Sequence, residues 1–319
     1  MRIIYFFCCC LFLFLPLSGN IAQTLEDSYF IDFGPDDGSN GDRTISPDAN
    51  DTHWTNLTDP MEGSSATLVK ADGSNSTISI AVLTTLSKGG KQLGGLLSPD
   101  AALLGELAIA TATQDYFFTA ETATLKFTQL DPDRAYRFSL FGSRTNAEKR
   151  VSKYTLAGAN TAELELQTSG RDLGGSGYDG NNSTVAVSDF IFPDADGSIL
   201  LEVGKLEGSF AYLCLLKLEM FSGVDLTKVS AISIEGTDIS ENATTRQMTA
   251  TVLPADATVP GVSWEVKEKS IASITEDGLL IPFRNGMVTV VAKAVERGST
   301  VRAEKEILIS NQDVVNVLL

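Results

Sequence analysis

Histidine, cysteine and clustered acids build most catalytic and metal sites, so their positions constrain this chain first. Its 319 residues contain one histidine, His53. A Ser-His-Asp or Cys-His relay would have to be centred there. Its neighbours, Asp51-Thr-His-Trp-Thr-Asn56, read as a polar loop, and no Gly-x-Ser-x-Gly elbow accompanies them. A zinc centre has no His/Cys set to draw on. Gly89-Gly90 and Gly94-Gly95 lack the Lys-Ser/Thr ending of a phosphate loop. Paired carboxylates for glycoside hydrolysis can be drawn in many ways among 41 acids, which singles out none of them. The expectation is a non-catalytic protein that requires no cofactor.

Calcium is the metal that the acids suit. Asp32, Asp36, Asp37, Asn40 and Asp42 fall within Asp32-Phe-Gly-Pro-Asp-Asp-Gly-Ser-Asn-Gly-Asp42. A glycine-punctuated loop of this kind can wrap hard oxygens round one structural calcium. The spacing is not that of an EF-hand, and the alternative is a solvated turn whose Asp and Asn residues serve turn geometry.

Glycan recognition needs an aromatic ring to stack on apolar sugar C–H faces, flanked by hydrogen-bonding side chains. Two loops offer this. Ser143-Arg-Thr-Asn-Ala-Glu-Lys-Arg150 carries Arg144, Asn146 and Arg150, and Gly174-Gly-Ser-Gly-Tyr-Asp-Gly-Asn-Asn182 carries Tyr178, Asp179, Asn181 and Asn182. Each has a structural alternative: an ion pair for Arg144, a loop anchor for Tyr178. Trp54 is a third aromatic candidate, with a core position as its alternative.

The elements that position these residues follow from composition and pattern. Hydrophobic residues make up 43% of the chain and charged residues 20%, enough apolar surface for folded cores. The net charge is −17 with no basic stripe, which excludes nucleic acid as a partner. Arg2 followed by the apolar run from Ile3 to Leu17 reads as a signal peptide over residues 1–22, too short to span a bilayer as a helix. The expected location is therefore secreted, periplasmic or cell-surface, with no transmembrane segment in the mature chain. Cys8, Cys9 and Cys10 lie inside the apolar run rather than behind it, against lipidation. Their removal would leave Cys214 alone, in the apolar setting of a core thiol.

Helical periodicity is confined to Pro99–Ala110, with Ser98 as the expected cap. Elsewhere, short β-branched and aromatic runs alternate with Gly, Asp, Asn and Pro. Strands are expected at 29–33, 76–83, 123–129, 136–143, 151–157, 162–167, 185–192, 198–203 and 210–221. In the 136–142 run, alternation puts Tyr136, Phe138 and Leu140 on one face, Arg137 and Ser139 on the other. The continuous apolar character of 210–221 predicts a strand covered on both sides. The fold class is all-β: a jelly-roll β-sandwich over 23–222, a linker at 223–228, an immunoglobulin-like β-sandwich over 229–310 and a tail at 311–319.

The second unit resembles the bacterial Ig-like domain, group 2. The resemblance is carried by Ile232-Ser-Ile-Glu-Gly236, Gln247-Met-Thr-Ala-Thr-Val-Leu-Pro-Ala-Asp-Ala257, Val262-Ser-Trp-Glu265, Ser270-Ile-Ala-Ser-Ile-Thr-Glu-Asp-Gly278 and Asn285-Gly-Met-Val-Thr-Val-Val-Ala-Lys293. It implies a spacer or adhesive arm with Trp264 packed between sheets.

The first unit resembles the galactose-binding-like jelly rolls of secreted bacterial carbohydrate-active and surface proteins. Phe30-Ile-Asp-Phe-Gly-Pro35, Asp115-Tyr-Phe-Phe118, Leu130-Asp-Pro-Asp-Arg-Ala-Tyr136, Phe141-Gly-Ser-Arg144 and Ala211-Tyr-Leu-Cys-Leu215 carry it. It implies polysaccharide or cell-surface glycan as partner. Such domains often precede a hydrolase, whereas this sequence stops at Leu319 soon after the Ig-like unit. Two readings follow: a carbohydrate-binding or adhesion protein, or the ancillary part of a glycan-active esterase or glycosidase. A purely structural surface protein is the third.

Overall fold

A computed structural model describes residues 23–296 and 299–312. The expected signal peptide at 1–22 and most of the expected tail lie outside the described residues. The protein is nearly all β, as its short alternating runs predict. No helix among the described residues is long and apolar enough to cross a membrane.

The N-terminal unit is a sandwich of two large sheets. One sheet orders its strands Ala186–Val187, Ala135–Phe141, Leu215–Ser222, Thr24–Phe33 and Trp54–Leu57. All its pairs are antiparallel except the last, where Phe30 lies beside Trp54 in parallel register. The other orders Thr161–Ser169, Arg150–Ala157, Ile199–Glu207, Ala123–Thr128, Asn75–Val82 and Ser65–Val69. Alternation sends Ile31, Phe33, Tyr136, Phe138, Leu140, Leu216 and Leu218 from the first sheet into one core. There they meet Ile80, Leu125, Phe127, Leu156, Leu201 and Val203 from the second.

The first sheet is also covered on its outer face, so its central strands alternate between two buried sides. Phe30, Trp54, Phe141 and Leu215 point outward into a second core with Leu96, Leu104, Leu107, Ala112, Tyr116, Tyr212 and Cys214. A small third sheet, Ala211–Leu213 with Tyr116–Thr119 and Ser87–Gly89, closes that side.

Three expected elements differ in detail, and of the strand expected at 185–192 only Ala186–Val187 forms. The apolar run 210–221 divides at Cys214. Residues 211–213 pair with Tyr116–Thr119, and 215–222 pair inside the first sheet. The Cys214 amide donates to the Phe141 carbonyl (2.9 Å) and its own carbonyl accepts from Phe33 (2.8 Å), so the backbone changes sheets with its polar groups satisfied. The expected helix over 99–110 is broken. Asp100, not Ser98, caps Ala101–Leu104 through Ala102 N, and Gly105 then turns the chain at φ 56°. A second turn of helix follows at Ala110–Thr113.

The C-terminal unit is a small antiparallel sandwich. Ala231–Glu235 pairs with Thr249–Leu253, Leu279–Pro282 lies between Arg246–Gln247 and Ala272–Ile274, and Gly286–Ala294 lies between Val262–Val266 and Arg302–Ile309. Ile239, Met248, Val266, Leu280, Val288, Val290, Ile307 and Ile309 form its core. Trp264 flanks that core half-buried rather than filling it, with its indole against Gly278.

Candidate functional site

Strand alternation decides where the first acid goes. Ile31 and Phe33 face the inter-sheet core, so Asp32 falls on the opposite face with Phe30. That face is covered, and Asp32 is 3% exposed. Its Oδ2 accepts from the Thr44 amide (3.1 Å), which also reaches Asn56 Oδ1 (2.8 Å).

Asp115, on the turn entering strand Tyr116–Thr119, is 1% exposed and lies within hydrogen-bonding reach of Asp32. Burial raises the pKa of both carboxyl groups, and the negative charge of Asp32 raises Asp115 further. Three glycines make room for Asp115. A Cβ on Gly34 would sit 2.2 Å from its Cγ, and one on Gly41 1.9 Å from its Oδ2. One on Gly90 would sit 1.9 Å from the Asn40 carbonyl oxygen and 2.8 Å from Asp115 Cβ. Asp32 Oδ1, Asp115 Oδ1 and Asn40 Oδ1 are buried and have no hydrogen-bond partner.

The other acids expected to bind calcium turn away from this point. Asp36 pairs with Arg43 (2.7 Å) and Asp42 with Lys91 (2.7 Å). Asp37 Oδ1 accepts from the amides of Ser39 (2.9 Å) and Asn40 (2.6 Å), an Asx turn that lowers its pKa. Of Asp32, Asp36, Asp37 and Asp42, only Asp32 is drawn inside. Among the described residues no three His, Cys, Asp or Glu side chains converge on a metal position. The sequence signal for Asp115 was available: an acid set directly before Tyr-Phe-Phe, where an apolar residue would fit the pattern.

The residues proposed for glycan sit near one another, most of them holding the loops together. Asn146 Oδ1 accepts from the Glu148 amide (2.9 Å), and Asp179 Oδ1 from the Asp172 amide (2.7 Å). Asn181 is 1% exposed; it donates to Gly142 O (3.2 Å) and Thr184 O (2.7 Å) and accepts from the amides of Ser183 and Thr184. A buried, saturated amide staples its loop, which corrects its reading as a ligand contact. Tyr178 folds back between Gly174 and Gly180 with its hydroxyl 3.0 Å from Ser143 Oγ, and burial pushes its pKa up to about 12. The loop-anchor alternative describes its geometry. Trp54 is buried too, its ring tilted at 51° to that of Phe30 with centroids 5.2 Å apart and its indole N–H on Asp48 (2.9 Å). His53 lies against Gly73, its Nδ1 3.4 Å from Ser46 Oγ.

Arg144 remains at the surface of an aromatic cluster that sequence reasoning did not assemble. Its Nε donates to the Leu93 carbonyl (2.9 Å) and its Nη1 to the Tyr212 hydroxyl (3.3 Å). Arg150, buried, donates to the same hydroxyl and to Glu148 (2.6 Å). Its guanidinium lies 5.2 Å from the Phe210 ring centroid. Phe118 meets Phe210 edge-on at 5.4 Å and Tyr212 in a stack at 5.9 Å. Phe118, Phe210 and Arg144 are each partly exposed. The arrangement presents apolar ring surface beside a fixed hydrogen-bond donor.

No family model matches the chain. An α-L-arabinofuranosidase from Bifidobacterium longum subsp. longum is 30% identical over 105 residues, 31% of this chain. The match spans 10% of that enzyme's length. The crystal structure of an EHEC O157:H7 intimin mutant is similar over 26% of this chain and 48% of its own, at 14% identity and a TM-score of 0.21.

Proposed function

We propose that this is an exported, non-catalytic carbohydrate-binding or adhesion protein whose N-terminal sandwich engages glycan and whose C-terminal sandwich acts as a spacer. The observation that carries the reading is the pair of partly exposed rings, Phe118 and Phe210, both packed on Tyr212, whose hydroxyl and ring also engage Arg144. Aromatic faces take sugar C–H surfaces, and a guanidinium held by Leu93 and Tyr212 offers its remaining donors to hydroxyls at little entropic cost. The partial likeness to an arabinofuranosidase supports a carbohydrate context.

The test is a glycan array probed with the purified protein, followed by calorimetry on any ligand found. Saturable binding, lost in Phe210→Ala and weakened at least tenfold in Arg144→Ala, is the expected result. An array with no ligand would reject the reading in favour of a structural surface role.

A second reading, the ancillary part of a glycan-active hydrolase, is favoured by the match to a short part of a much longer enzyme. Release of sugar from arabinofuranosides by the purified protein would replace the non-catalytic reading with a catalytic one.

A further inference from the structure

Two carboxylates buried against each other repel strongly, and a native protein sets them together only with something positive between or around them. We propose that Asp32 and Asp115, with the side-chain oxygen of Asn40, bind a calcium ion that ties the 34–44 loop to the start of strand Tyr116–Thr119. The three oxygens are buried, all are acceptors, and none has a partner in the protein. Buried acceptors are almost always satisfied, so three in one neighbourhood ask for a shared partner.

A proton shared by Asp32 and Asp115 would answer for two of these oxygens and leave Asn40 Oδ1 orphaned. A cation answers for all three. The surrounding charge also favours a cation: Asp37 and Asp42 add to the negative field at Asp115 against the single ammonium of Lys91, which Asp42 already engages. Gly34 and Gly41 let the loop backbone close on Asp115, and the Pro35 carbonyl oxygen crowds the same space, 2.3 Å from where a Gly41 Cβ would stand. Two carboxylates and an amide oxygen, with the Pro35 carbonyl close by, form an all-oxygen donor set without imidazole or thiolate. That chemistry suits calcium, which accepts neutral carbonyl ligands and irregular geometry more readily than magnesium.

The test uses the full chain, purified, assayed for bound metal, then treated with EGTA and titrated with calcium chloride by calorimetry. One calcium per chain, either copurified or bound on titration, is expected. Saturating calcium should raise Tm by about 5–10 °C over the EGTA-treated protein. Asp115→Asn should abolish the heat of binding. Should that variant fail to fold, Asn40→Ala should still weaken calcium binding at least tenfold in a folded protein. A metal-free chain with no heat of binding and the same Tm in calcium and in EGTA would overturn the proposal. Binding that survives both Asp115→Asn and Asn40→Ala unchanged would overturn it equally.

Discussion

The Tyr154 hydroxyl donates to the main-chain carbonyl of Tyr212 at 2.5 Å, inside the fold. Tyr154 belongs to the six-stranded sheet and Tyr212 to the small third sheet, so this bond joins two layers at the point where the chain approaches Cys214. Tyr154→Phe keeps the ring and removes the donor. The variant should lose about 1–3 kcal/mol of stability, the cost of leaving a buried carbonyl short of a partner, read from the midpoint of urea unfolding.

Gly41 is required by space and not by its backbone angles. Gly41→Ala would place a methyl 1.9 Å from Asp115 Oδ2 and 2.3 Å from the Pro35 carbonyl oxygen. Backbone and a clamped carboxyl cannot both yield cheaply, so a loss of about 1–3 kcal/mol or more is expected. Gly38→Ala, in the same loop with open space around its Cβ position but a φ of 70°, should cost less, about 1 kcal/mol. Equal thermal shifts for the two would contradict the steric account.

Glu148 accepts from the Ser209 hydroxyl (2.7 Å) and from Arg150 (2.6 Å). Those bonds, the Ser209 hydroxyl first, hold its carboxyl below its ordinary value of 4.5. A depressed acid contributes stability that is complete above the unfolded pKa and is lost as pH falls through the folded one. Thermal melts from pH 6 down to about pH 3 should show this loss beginning near 4.5 in the native protein. In Glu148→Gln that component of the acid-side slope should be missing.

Cys214 is fully buried, and burial pushes its thiol far above the usual range. It should resist iodoacetamide at pH 8 in the folded protein and be alkylated readily in denaturant, as peptide mapping of that residue would show. Ready labelling of the native chain would mean that the second core opens on the timescale of the reaction.

Much of the architecture could be read where a strand has one buried face. The alternation of Tyr136, Phe138 and Leu140 with Arg137 gave the correct inward side, because a period of two reflects the pleat directly. It failed where composition is uniform. Phe210 to Phe221 is apolar almost throughout, so no pattern marks Cys214 as the point where the chain leaves one sheet for another. Trp54–Leu57 was missed because a short strand of Trp, Thr and Asn has no alternation, and its parallel partner is fixed by tertiary packing. The candidate site divides the same way. Asp32 was visible as an acid in a β run, whereas its pairing with Asp115 depends on which strands become neighbours. The rings of Phe118, Phe210 and Tyr212 were likewise brought together by the third sheet and not by any motif.

The pairing of Thr24–Phe33 with Leu215–Ser222 has a consequence for how the molecule comes into being. The strand that opens the sandwich finds its antiparallel partner only in the strand that closes it, with Thr24 opposite Ser222. While residues 215–222 are still unmade, the strand ladder of the opening strand is limited to the four-residue parallel pairing with Trp54–Leu57. The contacts that complete the sheet are thus among the most distant in sequence, which places assembly on the slow side of folding rates. A chain interrupted before Leu215 thus keeps every loop discussed above and lacks the strand that would seal them into one body.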